Sequence, residues 1–146
     1  MGAWLNHPQV QAALHVSGHA NNDMRYHSTV DDLRPVYKRL AQKYRLIIYS
    51  GDADACVPYY ASETWTRELG FQEIAPWRPW TAGSMDAPDD DSIRAGYVIT
   101  YNTRTDGSSV HNFTYATVAG AGHMVPTHKP PQALALLRRF LANEPL

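Results

Sequence analysis

Arg45-Leu46-Ile47-Ile48-Tyr49-Ser50-Gly51-Asp52-Ala53-Asp54 is the stretch on which the fold turns. Its centre is short, apolar and β-branched, and Gly51 stops it. That pattern reads as a strand buried on both faces, as in a parallel sheet flanked by helices. Upstream, Leu33, Val36, Tyr37, Leu40 and Tyr44 fall on one helical stripe, so a helix is expected over about 31–44, capped by Asp31 or Asp32 with Pro35 in its first turn. Downstream, residues 60–69 read as a second helix ending at Gly70. Helix, strand, polar loop and helix in this order are α/β grammar.

Further out the same rules apply. Residues 3–15 read as a helix with Pro8 in a first turn, and 16–29 as a polar loop. Trp77–Thr81 suits an edge strand, because Pro79 cannot donate to a ladder. Gly96–Tyr101 and Phe113–Val118 alternate as two more strands around an Asp106-Gly107 turn, and 82–94 is an acidic loop. A closing helix is expected from Pro131 to Asn143, with Leu134, Leu137, Phe140 and Leu141 on one face and Arg138 and Arg139 near its end.

The 146 residues suffice for one domain with a real core, and 44% hydrophobic against 18% charged residues excludes wholesale disorder. A formal net charge of −1 gives no field for nucleic acid or an anionic membrane. The apolar runs are too short to span a bilayer, and the first residues show neither a basic nor an apolar signal region. The single cysteine, Cys56, excludes an internal disulfide framework and a Cys-based zinc site. No metal site is expected from the histidines either. Ser17-Gly18 separates His15 from His19, and Val125-Pro126 separates His123 from His128. No cofactor motif is legible.

Two loops carry candidate chemistry. Asp52 and Asp54 lie just past the end of a buried strand, where open α/β sheets gather their reactive groups, although either acid also suits ordinary turn capping. His123 sits in Gly120-Ala121-Gly122-His123-Met124-Val125-Pro126, an irregular loop that can hold a base accurately while leaving it reachable. Strand–Asp followed about 70 residues later by strand–loop–His is the order in which α/β-hydrolases supply their acid and base, after the nucleophile. The nucleophile is the gap: there is no G-x-S-x-G, and none of the serines has that setting. Cys56 reads as packing or site lining rather than as a nucleophile.

Several motifs in order resemble the C-terminal part of the serine carboxypeptidases. Trp4-Leu5-Asn6-His7-Pro8-Gln9-Val10-Gln11-Ala12-Ala13-Leu14-His15 is similar to the family's YLNxPxVQxALH segment. Leu46–Asp54 resembles its YSGDxD strand-turn, Trp77–Trp80 and Gly96–Val98 its intervening strands, and Gly120–Pro126 with Pro130–Leu134 its GAGHMVPxxxPxxAL. The resemblance implies an α/β class, the C-terminal portion of an α/β-hydrolase fold, with 1–30 on the cap or insertion side and 31–146 carrying the sheet and helices. It implies that Asp54 is the catalytic acid, His123 the base, Met124 a lining residue for the departing C-terminal residue, and Asp52 a turn-forming neighbour. The chain departs from the family in lacking the G-E-S-Y-A-G nucleophile segment and any cysteine between Asn21 and Ser28.

The function that this resemblance implies is that of a serine-type carboxypeptidase releasing C-terminal residues from peptides, lysosomal, vacuolar or secreted. The serine is expected on an N-terminal segment or partner chain. The isolated chain is expected to be inactive. The rivals are a carboxypeptidase-like acyltransferase and an inert truncated module kept for interactions. Asn112-Phe113-Thr114 is a glycosylation sequon that agrees with secretion. Without upstream strands, an edge beside Leu46 and Ile48 is expected to stay bare, leaving Tyr37, Leu40, Leu134 and Phe140 exposed or drawn into association with a second copy.

Overall fold

The computed structural model describes residues 2–16, 27–83, 93–103 and 112–146. The chain clusters into two compact units, Met1–Asp32 and Leu33–Leu146. In the first unit the helix expected over 3–15 is two helices, α1 (Gly2–Leu5) and α2 (Pro8–Ala13). The break has a local cause. A proline pushes the residue before it out of the helical region, and His7 is extended at φ −71°, ψ 128°. His7 then caps α2, its Nδ1 accepting from the Gln9 N–H at 3.3 Å.

The second unit runs α3 (Arg34–Ala41), β1 (Leu46–Gly51), α4 (Tyr59–Arg67), β2 (Gln72–Thr81), β3 (Arg94–Asn102), β4 (Asn112–Val118), α5 (Val125–His128) and α6 (Pro130–Ala142). The fold is α/β: a mixed four-stranded sheet with flanking helices, in the order β1-β4-β3-β2. Among the described strands only β1 and β4 are parallel, Leu46 opposite Phe113 through Gly51 opposite Val118. The β4–β3 and β3–β2 pairs are antiparallel. Of the acidic loop expected over 82–94, residues 84–92 lie outside the described residues and Arg94 already begins β3; the Asp106-Gly107 turn and most of the 16–29 loop also lie outside them.

Alternation in β3 and β4 builds two cores on one sheet. Ile99, Tyr101, Phe113 and Tyr115 face one side with Ala41 of α3 and Leu69 after α4. Val98, Ala116 and Val118 face the other with Trp80, Ala121, Val125 and Leu136 of α6. Trp80 and Tyr115 are fully buried, and each such side chain contributes about 1.5–3 kcal/mol from apolar burial. The Trp80 indole also donates to the Thr117 carbonyl at 2.9 Å, so its polar atom is satisfied. Gly96 permits that approach: a Cβ there would sit 1.9 Å from the Thr117 oxygen.

Several expectations shift. The strand read as buried on both faces, β1, is an edge strand of the described sheet and only half-buried, because no strand among the described residues covers its outer side. The strand at Trp77 begins earlier, at Gln72, with register slips around Pro76 where the ladder loses a donor. α3 starts at Arg34 with Leu33, not Asp31 or Asp32, at its N-cap position, and Leu33 makes no side-chain cap bond. α5 is not legible in the sequence, since Val125-Pro126 reads as a break; Pro126 instead occupies its first turn, where a missing N–H costs nothing. On α6, Leu134 is exposed as expected, while the leucine that is buried lies outside the apolar face read from the sequence. Leu136 is buried, whereas Leu134 and Leu137 are 48% and 51% exposed. Leu40 is exposed too; Tyr37 and Phe140 are half-buried, Tyr37 against Trp65 and Phe140 beneath the Arg45 guanidinium.

Candidate active site

The site is built where the parallel pair β1 and β4 ends. Gly51 closes β1 against the loop that leaves β4, so closely that a Cβ would lie 2.2 Å from the Ala121 oxygen and 2.5 Å from that of Gly122. No other residue fits there. Three hydrogen bonds then tie the two loops: the Asp52 N–H to the Val118 carbonyl at 3.2 Å, the Ala53 N–H to the Ala121 carbonyl at 2.9 Å, and the Gly120 N–H to Asp52 Oδ1 at 2.6 Å. Gly120 turns at φ +67°, a conformation open to glycine without strain. Asp52, expected to shape only its own turn, therefore also anchors the opposite loop. Sequence alone could not show this, because the two loops meet only through strand pairing.

Asp54 follows three residues after Gly51. Its Oδ1 accepts the N–H groups of Cys56 at 2.8 Å and Val57 at 3.1 Å, a local turn that fixes the carboxylate plane. Its Oδ2 lies 2.8 Å from His123 Nδ1. An ionised carboxylate only accepts, so the imidazole carries its proton on Nδ1 and presents a lone pair on Nε2. The bond from His123 holds the Asp54 carboxyl below the ordinary carboxylate range. Burial pulls the other way, and the Val57 and Cys56 N–H groups add to the lowering. Exposure separates the partners: the Asp54 side chain is 8% exposed and that of His123 is 64% exposed. The carboxylate is fixed and sheltered, and the imidazole is open to whatever docks beside it.

Beyond His123, Met124 is exposed and opens α5 as its N-cap residue. The Gly122 N–H donates to His128 Nδ1 at 3.0 Å. Cys56 is exposed, not buried as a lone cysteine usually is, and it meets Asp54 through its backbone. Asn112 begins β4 opposite Asn102. Among the described residues no serine hydroxyl bonds His123, and no group of three His, Cys, Asp or Glu side chains is placed to hold a metal. An Asp-oriented imidazole with a free Nε2 is a proton acceptor for a hydroxyl brought to that face. An apolar groove of about 420 Å³ runs between one face of β1 and α6, lined by Ile47, Tyr49, Pro126, Ala133, Leu134 and Leu137.

The serine carboxypeptidase family model matches residues 1–143. The chain belongs to the serine carboxypeptidase family. It is 35% identical over 153 residues to serine carboxypeptidase 1 of Hordeum vulgare, covering 99% of this chain and 28% of that protein. Serine carboxypeptidase-like 20 of Arabidopsis thaliana is 34% identical over 148 residues, 95% of this chain and 27% of the relative. The P-(S)-hydroxymandelonitrile lyase of Sorghum bicolor is 34% identical over 157 residues, 98% and 28%. The chain thus spans little more than a quarter of the length of these relatives. No helix among the described residues is long and apolar enough to cross a membrane.

Proposed function

We propose that this chain supplies the acid and base of a serine-type carboxypeptidase, with Asp54 orienting and His123 acting as general base. The observation that carries this is the 2.8 Å contact between Asp54 Oδ2 and His123 Nδ1, with no partner for Nε2 among the described residues. The nucleophilic serine comes from an N-terminal segment or partner chain of the same enzyme. His123 Nε2 takes the serine proton as the hydroxyl attacks the last peptide bond. Asp54 stabilises the resulting imidazolium, which returns the proton to the leaving amine, and water then resolves the acyl-serine. Met124 lines the space for the departing residue and Cys56 stands at its margin. The Ser-bearing segment continues the sheet beyond β1 and covers the apolar groove. Without it, the same bare edge pairs with a second copy of this chain.

The substrate is a peptide, and the setting is lysosomal, vacuolar or secreted, which agrees with a sequon at Asn112. A similar protein is named as a lyase, so the reaction assigned here rests on the site and its test rather than on family membership alone. The test is labelling with a serine-reactive phosphonate. The complete protein is expected to be labelled once and to release C-terminal residues from blocked peptides, while the 146-residue chain alone takes no label. Stoichiometric labelling of the isolated chain, or transfer of the acyl group to an alcohol in preference to water, would overturn the assignment.

A further inference from the structure

His128 brackets the proposed base from both sides. The loop from β4 to α5 turns at Gly120 and delivers His123 between Gly122 and Met124. On the N-terminal side of His123, the Gly122 N–H donates to the His128 ring at Nδ1, 3.0 Å away. On its C-terminal side, the Met124 carbonyl accepts the His128 backbone N–H, also at 3.0 Å. One residue therefore ties the Ala121-Gly122 and Met124-Val125 peptide units, one removed from His123 on each side. The single turn of α5 makes this reach possible, because it folds residue 128 back over residue 124. Gly122 makes it possible from the other side: a Cβ there would meet the imidazole at 3.1–3.2 Å, tight enough to push the ring away.

We propose that His128 is a positioning residue for His123, its unprotonated Nδ1 locking the loop that aims the base. This rests on the reading of His123 as the base. His123 is largely exposed and its side chain bonds Asp54 alone among the described residues, so its backbone must come from a fixed loop if Nε2 is to meet a hydroxyl repeatedly. Catalysis is far more sensitive to such placement than folding is, since a displacement of about 1 Å costs on the order of a hundredfold in rate. Asp52 holds the far end of the same loop through Gly120, leaving the His123 end to His128.

The test compares His128→Asn, His128→Gln and His128→Leu in the complete protein. The asparagine oxygen stands where Nδ1 does and still accepts from Gly122. Glutamine places its oxygen farther out, and leucine has no acceptor. The Asn variant is expected to keep kcat within about threefold, and Gln and Leu to lose about tenfold or more with KM unchanged. By NMR, Gly122 amide exchange should be slow in wild type and Asn and about tenfold faster in Gln and Leu. The His123 amide order parameter should fall from about 0.85 toward 0.6 in the same two. If the Leu variant fails to fold, the Asn–Gln pair makes the same comparison. Wild-type kcat in Gln or Leu, or an unchanged order parameter once the Gly122 bond is lost, would overturn the proposal. Order parameters as expected in a complete protein that hydrolyses no peptide would instead overturn the triad reading and leave the placement of His123 standing.

Discussion

β1 and β4 lie side by side, pair in register over six residues and carry similar apolar sequence, yet they live in different surroundings. Along β4, Phe113, Tyr115, Ala116 and Val118 are fully buried between helices on both faces. Along β1, the side chains are half-buried and Tyr49 is 44% exposed, above a groove that α6 lines with exposed leucines. Hydrophobic sequence alone does not decide burial; a strand also needs neighbours on its edge and its faces. The candidate site stands on the border between the two. Its acid follows the uncovered strand and its base follows the covered one. Each is placed by the other's loop, through the crowding of Gly51 against Ala121 and the reach of Asp52 to Gly120.

The sharpest way to break this comparison is at the acid. Asp54→Asn in the complete protein keeps both backbone acceptor contacts but lets the amide donate to His123, favouring the wrong tautomer. A loss of about 10⁴ in kcat with the fold intact is expected, by the logic of the serine protease triad. Stopped assays on a blocked dipeptide read it. If Asp52→Asn proved the more damaging to kcat, the two acids would have to exchange roles. The pH dependence has a defined sign. The Asp54 carboxyl is held below its ordinary value of about 3.9, so its contribution to stability is present above that value and lost as pH falls through the lower, folded-state value. Denaturant midpoints below pH 4 should therefore converge between wild type and Asp54→Asn.

The next test contrasts one residue from each side. Phe113→Ala removes a fully buried ring that touches Trp65, Phe71 and Tyr101, and should cost about 3–5 kcal/mol. Leu137→Ala removes a side chain that faces the open groove and should change stability of the chain by within about 0.5 kcal/mol. Urea midpoints at constant slope measure both. A large cost at Leu137 in the 146-residue chain would mean that something already covers the groove, most directly a second copy, and sedimentation would then show an oligomer.

The sequence carries β4 and the site loops well and carries β1 less well, for a physical reason. Periodicity reports which residues want burial, and Ile47, Tyr49, Leu134 and Leu137 do want it; it cannot report whether the covering partner is present in the same 146 residues. Chemistry is legible where it is local. Pro35 sits in the first turn of α3, Gly70 turns the chain at φ +72° just past α4, and Asp54 and His123 stand after their strands. Legibility ends where the answer depends on how the chain is placed in the fold. Pro8 splits a helix that its flanking residues would sustain, Pro126 starts a turn that reads as a break, and the Asp52 and His128 contacts join residues whose meeting only the folded loops create.

The smallest expected effect separates the two tyrosines of the adjacent strands. Tyr115 of β4 buries its ring and donates its hydroxyl to the Tyr59 carbonyl at 2.7 Å, tying β4 to the start of α4, the helix that follows the Asp54 loop. Burial is the main cause that pushes its hydroxyl up to about 12, against an ordinary value of about 10. A raised value means that the folded state holds the proton more tightly than the unfolded chain does. The contribution is thus complete below about pH 10 and is lost as pH rises toward 12. Tyr115→Phe removes this hydrogen bond to the Tyr59 carbonyl, for a cost of about 1 kcal/mol at neutral pH. It also removes this group's alkaline sensitivity, so the gap between wild type and variant should close between pH 10 and 12. Tyr49→Phe on β1, half exposed, should match wild type within about 0.5 kcal/mol at pH 7. Melting curves of the three chains across this range decide it. A Tyr115→Phe gap that stays constant up to pH 12 would show that β4 is wetter than its neighbours make it, and the contrast between the strands would shrink accordingly.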